Sequence, residues 1–533
     1  MQFQRFNSML RLERGRSVAT HVGLFGLVVS HGLALSIGAA PLVVPVDQRG
    51  FEVTQNLSVP IHPSMRGIPV STPVLTDQGF GDASRRGDIY LTVVSPDQRA
   101  VLHTLPVGGV LESVVYDNYV EIDGHHNPSV GMDQDGRVHL AVEHHNDSWN
   151  YFRSHTPRDP SGGFRQSAVS THELGLQGRI NTYPVMQQMS DGQLALAHRM
   201  SPHARYFTAY TGTTALALQR YEPGGDSEGQ WIMSGAHVDR IPGAPEDSYE
   251  PSTYKTLAWT PGTSRTDGAG HGWYQSWRTS LAADASGGLH LAMPIYDGTA
   301  YPHATHVGYL YSPDGGETFF RADGSAYDFD AGPITHNTID LVVEDQPRTA
   351  REVMRATVHV TALPDGTPIV GTMMSDPLGN LALGRARLHV FDPLVGEWIE
   401  RETPAGLNNH NFQALGDGSI ITIDDAMLFR TPDLGLTWEM YELPELAGLN
   451  QPLMMWDRTY SNWNVGARLV VNPNVAAGEP TVSEVWTIAF PGRVIPEPMS
   501  VALAGSICLV AFRPRRCVSV SEISLISTFW SSQ

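Results

Sequence analysis

Cysteine is almost missing from this chain. Only Cys508 and Cys517 carry a thiol among its 533 residues, both within the last 26, so the body from Met1 to Val501 contains no disulfide and no cysteine metal site. Lysine is scarcer still: Lys255 is the single one, and the other 34 of the 35 basic residues are arginine. Against them stand 55 Asp and Glu, for a formal net charge of -20, and no basic footprint for a phosphate backbone is visible, which excludes a nucleic-acid partner. Between about Arg49 and Arg493 there is no long segment with a 3.6-residue hydrophobic period, so a helical architecture is not expected. With 41% hydrophobic and 17% charged residues the composition is that of a folded globular protein.

The two ends read as addresses. Arginines between Arg5 and Arg16 precede the apolar stretch Val22 to Ala40, which exits through small residues ahead of Pro41. That order matches a secretory signal over residues 1–39, and its small-residue exit and His31 set it apart from a membrane anchor. Near the other end, Pro496-Glu497-Pro498 is followed by an apolar run from Met499 to Phe512 and then Arg513, Arg515 and Arg516. A run of about 14 apolar residues is short for a membrane span, yet its basic closure is a stop-transfer pattern. Residues 494–517 resemble the PEP-CTERM sorting signal of Gram-negative bacteria. The resemblance implies export to the cell envelope or medium, partnership with sorting machinery and a transient membrane contact. It departs from that family in the extension 518–533 after the basic cluster.

Between these ends, residues 49–493 repeat one unit, a glycine-containing turn feeding a short alternating strand. The unit recurs in Asp133 to His145, Met189 to Arg199, Ala285 to Pro294, Leu363 to Met374 and Leu415 to Asp424. Two further segments, Ser312 to Phe319 and Thr431 to Trp438, have the Asp-box pattern, in which Asp314 and Asp433 cap turn amides and an aromatic ring closes over them. Such periodic marks predict an all-β fold, a β-propeller. About 445 residues divide into seven blades of roughly 64, and six blades would also fit.

Histidine clusters in Asp123 to Ser154. His125, His126 and Asn127 precede Pro128 in a loop, and His144, His145 and Asn146 end a strand. Joined through the Asp135-Gly136 turn, these segments are expected to meet at one mouth of the propeller, where paired imidazoles could serve as a base or a metal site.

These residues, with Thr182-Tyr183-Pro184 and a strand ending at Arg199, resemble the BNR-repeat propeller family that includes the seven-bladed ulvan lyases. The similarity runs from about Asp123 to Gly324. The family motif has one histidine followed by two asparagines; here His125 takes the histidine position and His126 replaces the first asparagine. The resemblance places the second histidine at His145, the tyrosine at Tyr183 and the arginine at Arg199. It places a further tyrosine at Tyr254 beside Lys255, with Tyr249 as a rival. It implies an acidic polysaccharide as partner, substrate contacts from His126, Asn127, Asn146 and Lys255, and a structural zinc or calcium, for which His303, His306 and His336 are candidates. No cofactor is needed for the chemistry.

That chemistry is β-elimination at a uronic acid, in which the carboxylate is neutralised, the C5 proton removed and the leaving oxygen protonated. The fork of donors on Arg199 suits the first task. His125 or His145 serves as base and Tyr183 as acid, or the roles are exchanged. Two other readings stand beside the lyase: a non-catalytic carbohydrate-binding or matrix propeller, and a sialidase-like glycosidase, whose arginine triad and nucleophilic tyrosine cannot be picked out.

Overall fold

The computed structural model describes the chain from Pro41 to Phe490, apart from residues 64–73, 76–87, 123–125, 127, 144, 148–149, 158, 168–180, 190–191, 201–214, 225–228, 238–254, 260–273, 277–278, 298–302, 345–352, 376–383, 448–452, 458–465 and 473–480. The segments read above as a secretory signal and a sorting signal, and both cysteines, thus lie outside the described residues. Among those described there is no α-helix. Seven sheets of four to six strands follow one another along the chain as the blades of a propeller.

The second blade shows the plan: the strands Ser129–Met132, Val138–Ala141, Tyr151–Thr156 and Asp159–Ser167 pair antiparallel in that order. Its inner strands are buried along their whole length, because a neighbouring blade covers each face. The apolar core is therefore a ring of clusters between blades. Tyr151 of the second blade, for example, packs with Leu194, Leu196, Tyr221 and Trp231 of the third. Hydroxyls cross the same seams: Ser129 Oγ accepts from the Met186 amide at 3.0 Å and Ser280 Oγ from the Val360 amide at 2.9 Å.

Each glycine turn joins the first two main strands of a blade, and all share one geometry. In the second blade the Asp133 amide donates to the Arg137 carbonyl and the Gly136 amide donates back to Asp133. The residue in the fourth position has positive φ, as Gly136, Gly192, Gly287, Gly366 and Gly418 do. Glycine takes that conformation without a Cβ clash. A sixth copy occupies Ser95 to Arg99 with Gln98 at φ +63, and it is not recognisable as a glycine turn from sequence.

Two of these turns begin with aspartate, and both have histidine six residues on. Asp133 Oδ2 lies 3.0 Å from His139 Nε2, whose Nδ1 faces the Tyr151 hydroxyl. Asp284 Oδ2 lies 3.1 Å from His290 Nε2, whose Nδ1 is 2.7 Å from the Tyr309 hydroxyl. Where the turn starts with an apolar residue its partner position is apolar too, as in Leu363 with Ile369 and Leu415 with Ile421. Burial alone would raise the Asp133 carboxyl, yet its bond to His139 and the nearby Arg153 hold it below the usual carboxylate range.

The ring is closed by the N-terminal part of the described chain. Glu52–Pro60 pairs with Val482–Ala489 as the outer strand of the seventh blade, and Leu42–Val44 runs parallel to Glu439–Glu442 of the sixth. Between them Arg49 forms a two-pronged ion pair with Glu445, at 2.9 and 2.5 Å. The Asp boxes behave as their pattern predicts. Asp314 accepts from the Glu317 and Thr318 amides at 3.0 and 2.9 Å, Asp433 accepts from the Thr437 amide at 2.8 Å, and Phe319 and Trp438 are buried.

Candidate functional site

Backbone register assembles the site. In the second blade Ser129 pairs with Ala141, so the loop 118–128 before the inner strand and the loop 142–150 after the next strand leave from the same end, opposite the Asp133 turn. The strand His145–Asp147 of the second loop then adds to the third blade beside Asn181–Gln188. His145 pairs with Thr182, Thr182 with Arg199, Arg199 with Leu216 and Leu216 with Ala258. One row across the blade therefore carries His145, Thr182 and Arg199, with roughly 10 Å between the first and last backbones at the usual strand spacing.

Between Thr182 and Val185 the register shifts, which leaves Tyr183 and Pro184 in a bulge. Pro184 has no amide hydrogen to donate, so the unpaired part of a bulge is where a strand tolerates it. Tyr183 takes φ +58, a left-handed conformation that costs an L-residue roughly 1–2 kcal/mol. The bulge brings its ring against Arg199, whose guanidinium carbon lies 5.0 Å from the ring centroid. Both side chains are largely buried, at 7% and 8% exposure, so the stacking is only weakly weakened by water.

His126 is buried, and its Nδ1 lies 2.7 Å from the Glu121 carbonyl oxygen. A carbonyl only accepts, so Nδ1 carries the hydrogen and, in the neutral ring, Nε2 holds the lone pair. Glu143, two residues before His145, accepts from the Glu121 amide at 2.6 Å. Asn150 ties this corner together by donating to Asp117 Oδ2 at 2.8 Å.

His145, Tyr183 and Arg199, distant in sequence, are thus neighbours in one blade. His125, Asn127, Tyr249 and Tyr254 lie outside the described residues, as do the side chains of His145, Asn146 and His303. Lys255 is exposed in the short strand Lys255–Thr256, which pairs with Ala236–His237 and leads into the Ala258 end of the row, two strands out from Arg199. His336 lies in the segment bridged to Ala258 through Ile334. Burial, and then the nearby His306, hold its imidazole below the ordinary value. Among the described residues no three His, Cys, Asp or Glu side chains are grouped to hold a metal.

Glu121 and Glu143 escaped the sequence reading, and Thr182 entered it only as part of the Thr182-Tyr183-Pro184 motif, with no role of its own. The signal for Thr182 was its place beside Tyr183, and for Glu143 its place before His144-His145, but the hydrogen bonds that single them out join residues of different loops and strands.

The fold is shared with known enzymes. An ulvan lyase described as bound to -[GlcA(1-4)Rha3S]- is similar at a TM-score of 0.50 and 10% identity, covering 82% of this chain and 94% of its own. The polysaccharide lyase Uly1 is similar at 0.52 and 12% identity, covering 85% and 96%. No curated protein matches the chain. Residues 89–403, more than half of the sequence, match the model described as BNR repeat-containing family member, and on that match the protein belongs to the BNR repeat-containing family.

Proposed function

We propose that the protein is an exported polysaccharide lyase that cleaves a uronate-containing, ulvan-like polymer by β-elimination. The observation that carries this reading is the row His145, Thr182, Arg199 with the Tyr183 ring held against the Arg199 guanidinium. The similarity of fold to two polysaccharide lyases supports it.

In this reading Arg199 neutralises the substrate carboxylate with its planar fork, which lowers the barrier to loss of the C5 proton. A histidine, His125 or His145, takes that proton and the Tyr183 hydroxyl gives one to the leaving glycosidic oxygen, or the two exchange roles. Tyr254 assists the catalytic set, while His126, Asn127, Asn146 and Lys255 hold neighbouring sugars. No step uses a metal. The protein's net charge of -20 repels an acidic polymer, so the local arginine outweighs the global field only at short range.

The test is incubation with ulvan, followed by ultraviolet absorbance of the unsaturated uronate and by an assay of reducing ends. A lyase raises both. Reducing ends without the absorbance identify a hydrolase, and binding without either identifies a carbohydrate-binding propeller.

A further inference from the structure

Glu143 has φ +66, a conformation that glycine or asparagine takes readily and that costs a glutamate roughly 1–2 kcal/mol. A residue held in that region points to a constraint imposed by its surroundings. The constraint is visible in its carboxylate. One oxygen accepts from the Glu121 backbone amide at 2.6 Å, and the other faces the Asn150 side-chain amide at 3.4 Å. Asn150 is anchored in turn by Asp117 and by Gln166, whose Nε2 donates to its Oδ1 at 3.1 Å, while the Asn150 carbonyl receives the Val142 amide.

The backbone of Glu121 is bonded through both its N–H and its carbonyl. Its N–H goes to Glu143, and its carbonyl receives the ring N–H of His126. The chain of contacts runs from His126 through the Glu121 backbone to Glu143, and from there along the chain to His145 in the Thr182 and Arg199 row.

We infer that Glu143 is a positioning residue: its carboxylate fixes the loop that carries His126 against the segment that carries His145, and so sets the separation of the two histidine-bearing elements. The inference deepens the lyase reading and rests on it for its catalytic consequence alone. The short bond to the Glu121 amide at 2.6 Å is the tie that matters for position, and the longer contact with Asn150 at 3.4 Å is secondary to it.

The full-length protein separates position from stability through two variants. Glu143→Gly removes the tie and also the left-handed strain, so the fold should persist with a melting temperature within about 3 °C of the parent. In that variant hydrogen exchange in the peptide spanning Glu121 should quicken about tenfold or more. Elimination on ulvan should lose about tenfold or more in kcat with KM changed less than about threefold, as expected when reacting groups are misplaced and binding is kept. Glu143→Gln keeps one acceptor oxygen for the Glu121 amide and should restore kcat to within about threefold of the parent. Unchanged exchange at Glu121 in Glu143→Gly would overturn the inference. So would a kcat that falls only in step with melting temperature and is not rescued by Gln. If the parent protein performs no elimination, the lyase reading fails, and the exchange measurement still decides whether Glu143 holds the two elements together.

Discussion

The Arg199 guanidinium carbon lies 5.0 Å from the centroid of the Tyr183 ring, and Tyr183 reaches that place only through a bulge at φ +58. Removing the tyrosine hydroxyl and removing the ring should therefore have different effects. Tyr183→Phe keeps the stacking that places Arg199, so elimination should fall about 10²-fold with substrate binding preserved. Tyr183→Ala releases Arg199 as well, so KM should rise together with the loss of kcat. Arg199→Lys should not restore Arg199→Ala, because a point charge lacks the two-pronged geometry. His145→Ala should resemble Tyr183→Phe, and His126→Ala should be milder. Steady-state kinetics on a uronate polymer checks these, and the site is wrong if Tyr183→Phe and His145→Ala both fold and turn over at the parent rate.

Gln98 occupies the left-handed position that five other blades fill with glycine. Gln98→Gly should stabilise the protein by about 1 kcal/mol, and Gly136→Gln should destabilise it by a similar amount, because only a side chain incurs the left-handed clash. Urea unfolding midpoints measure both, and a destabilised Gln98→Gly would show that the side chain contributes more than the turn costs it.

Asp284 and His290 are 2% and 1% exposed, and they act as a pair. Asp284→Leu leaves the imidazole without its acceptor and the Ser286 and Gly288 amides without their cap, so a loss of about 3 kcal/mol or more is expected. Adding His290→Ile and Tyr309→Phe recreates the apolar pairing of Leu363 with Ile369 and removes the orphaned imidazole and hydroxyl, leaving only the turn amides uncapped. The triple variant should then lose less than the sum of its parts, a non-additivity that denaturant titration detects directly.

Burial pushes His103 down to about 4 and His198 and His389 down to about 3. Unfolded, each would titrate near 6.5. Between those values the unfolded chain binds more protons than the folded one, so stability is complete above about pH 6.5 and declines as pH falls toward the folded values. For a group lowered to about 3 the loss at pH 5 is about 2 kcal/mol. The Gln219 amide nitrogen faces His198 Nε2 at 3.0 Å, and an amide donor there requires the lone pair that protonation removes. His198→Gln should flatten the decline between pH 7 and pH 5, as followed by thermal melting, and an unchanged slope would show that His198 does not titrate in that window.

Much of the fold was present in local chemistry. Glycine after aspartate or serine marks a tight turn, because only glycine enters the left-handed region freely, and five of the six shared turns carry it. The Asp boxes were equally readable, since Asp314 and Asp433 bond only to groups within four residues of themselves. Gln98 hid its turn by breaking that local rule. The resemblance of His145, Tyr183 and Arg199 to a known family depended on short motifs that survive as written words in the chain.

Tertiary structure decided what no short window contains. The sequence determined which residues turn and which alternate, and hence the class of the fold. It could not show that Glu52–Pro60 closes the seventh blade against Val482–Ala489, because that pairing spans almost the whole body of the chain and depends on how many blades complete the circle. Nor could it place Thr182 between His145 and Arg199, or join Glu143 to the Glu121 amide, because strand register and backbone hydrogen bonds between separate loops are set by the packing of blades. Local residue chemistry wrote the turns; the burial of every inner strand between two neighbours decided which of those strands meet.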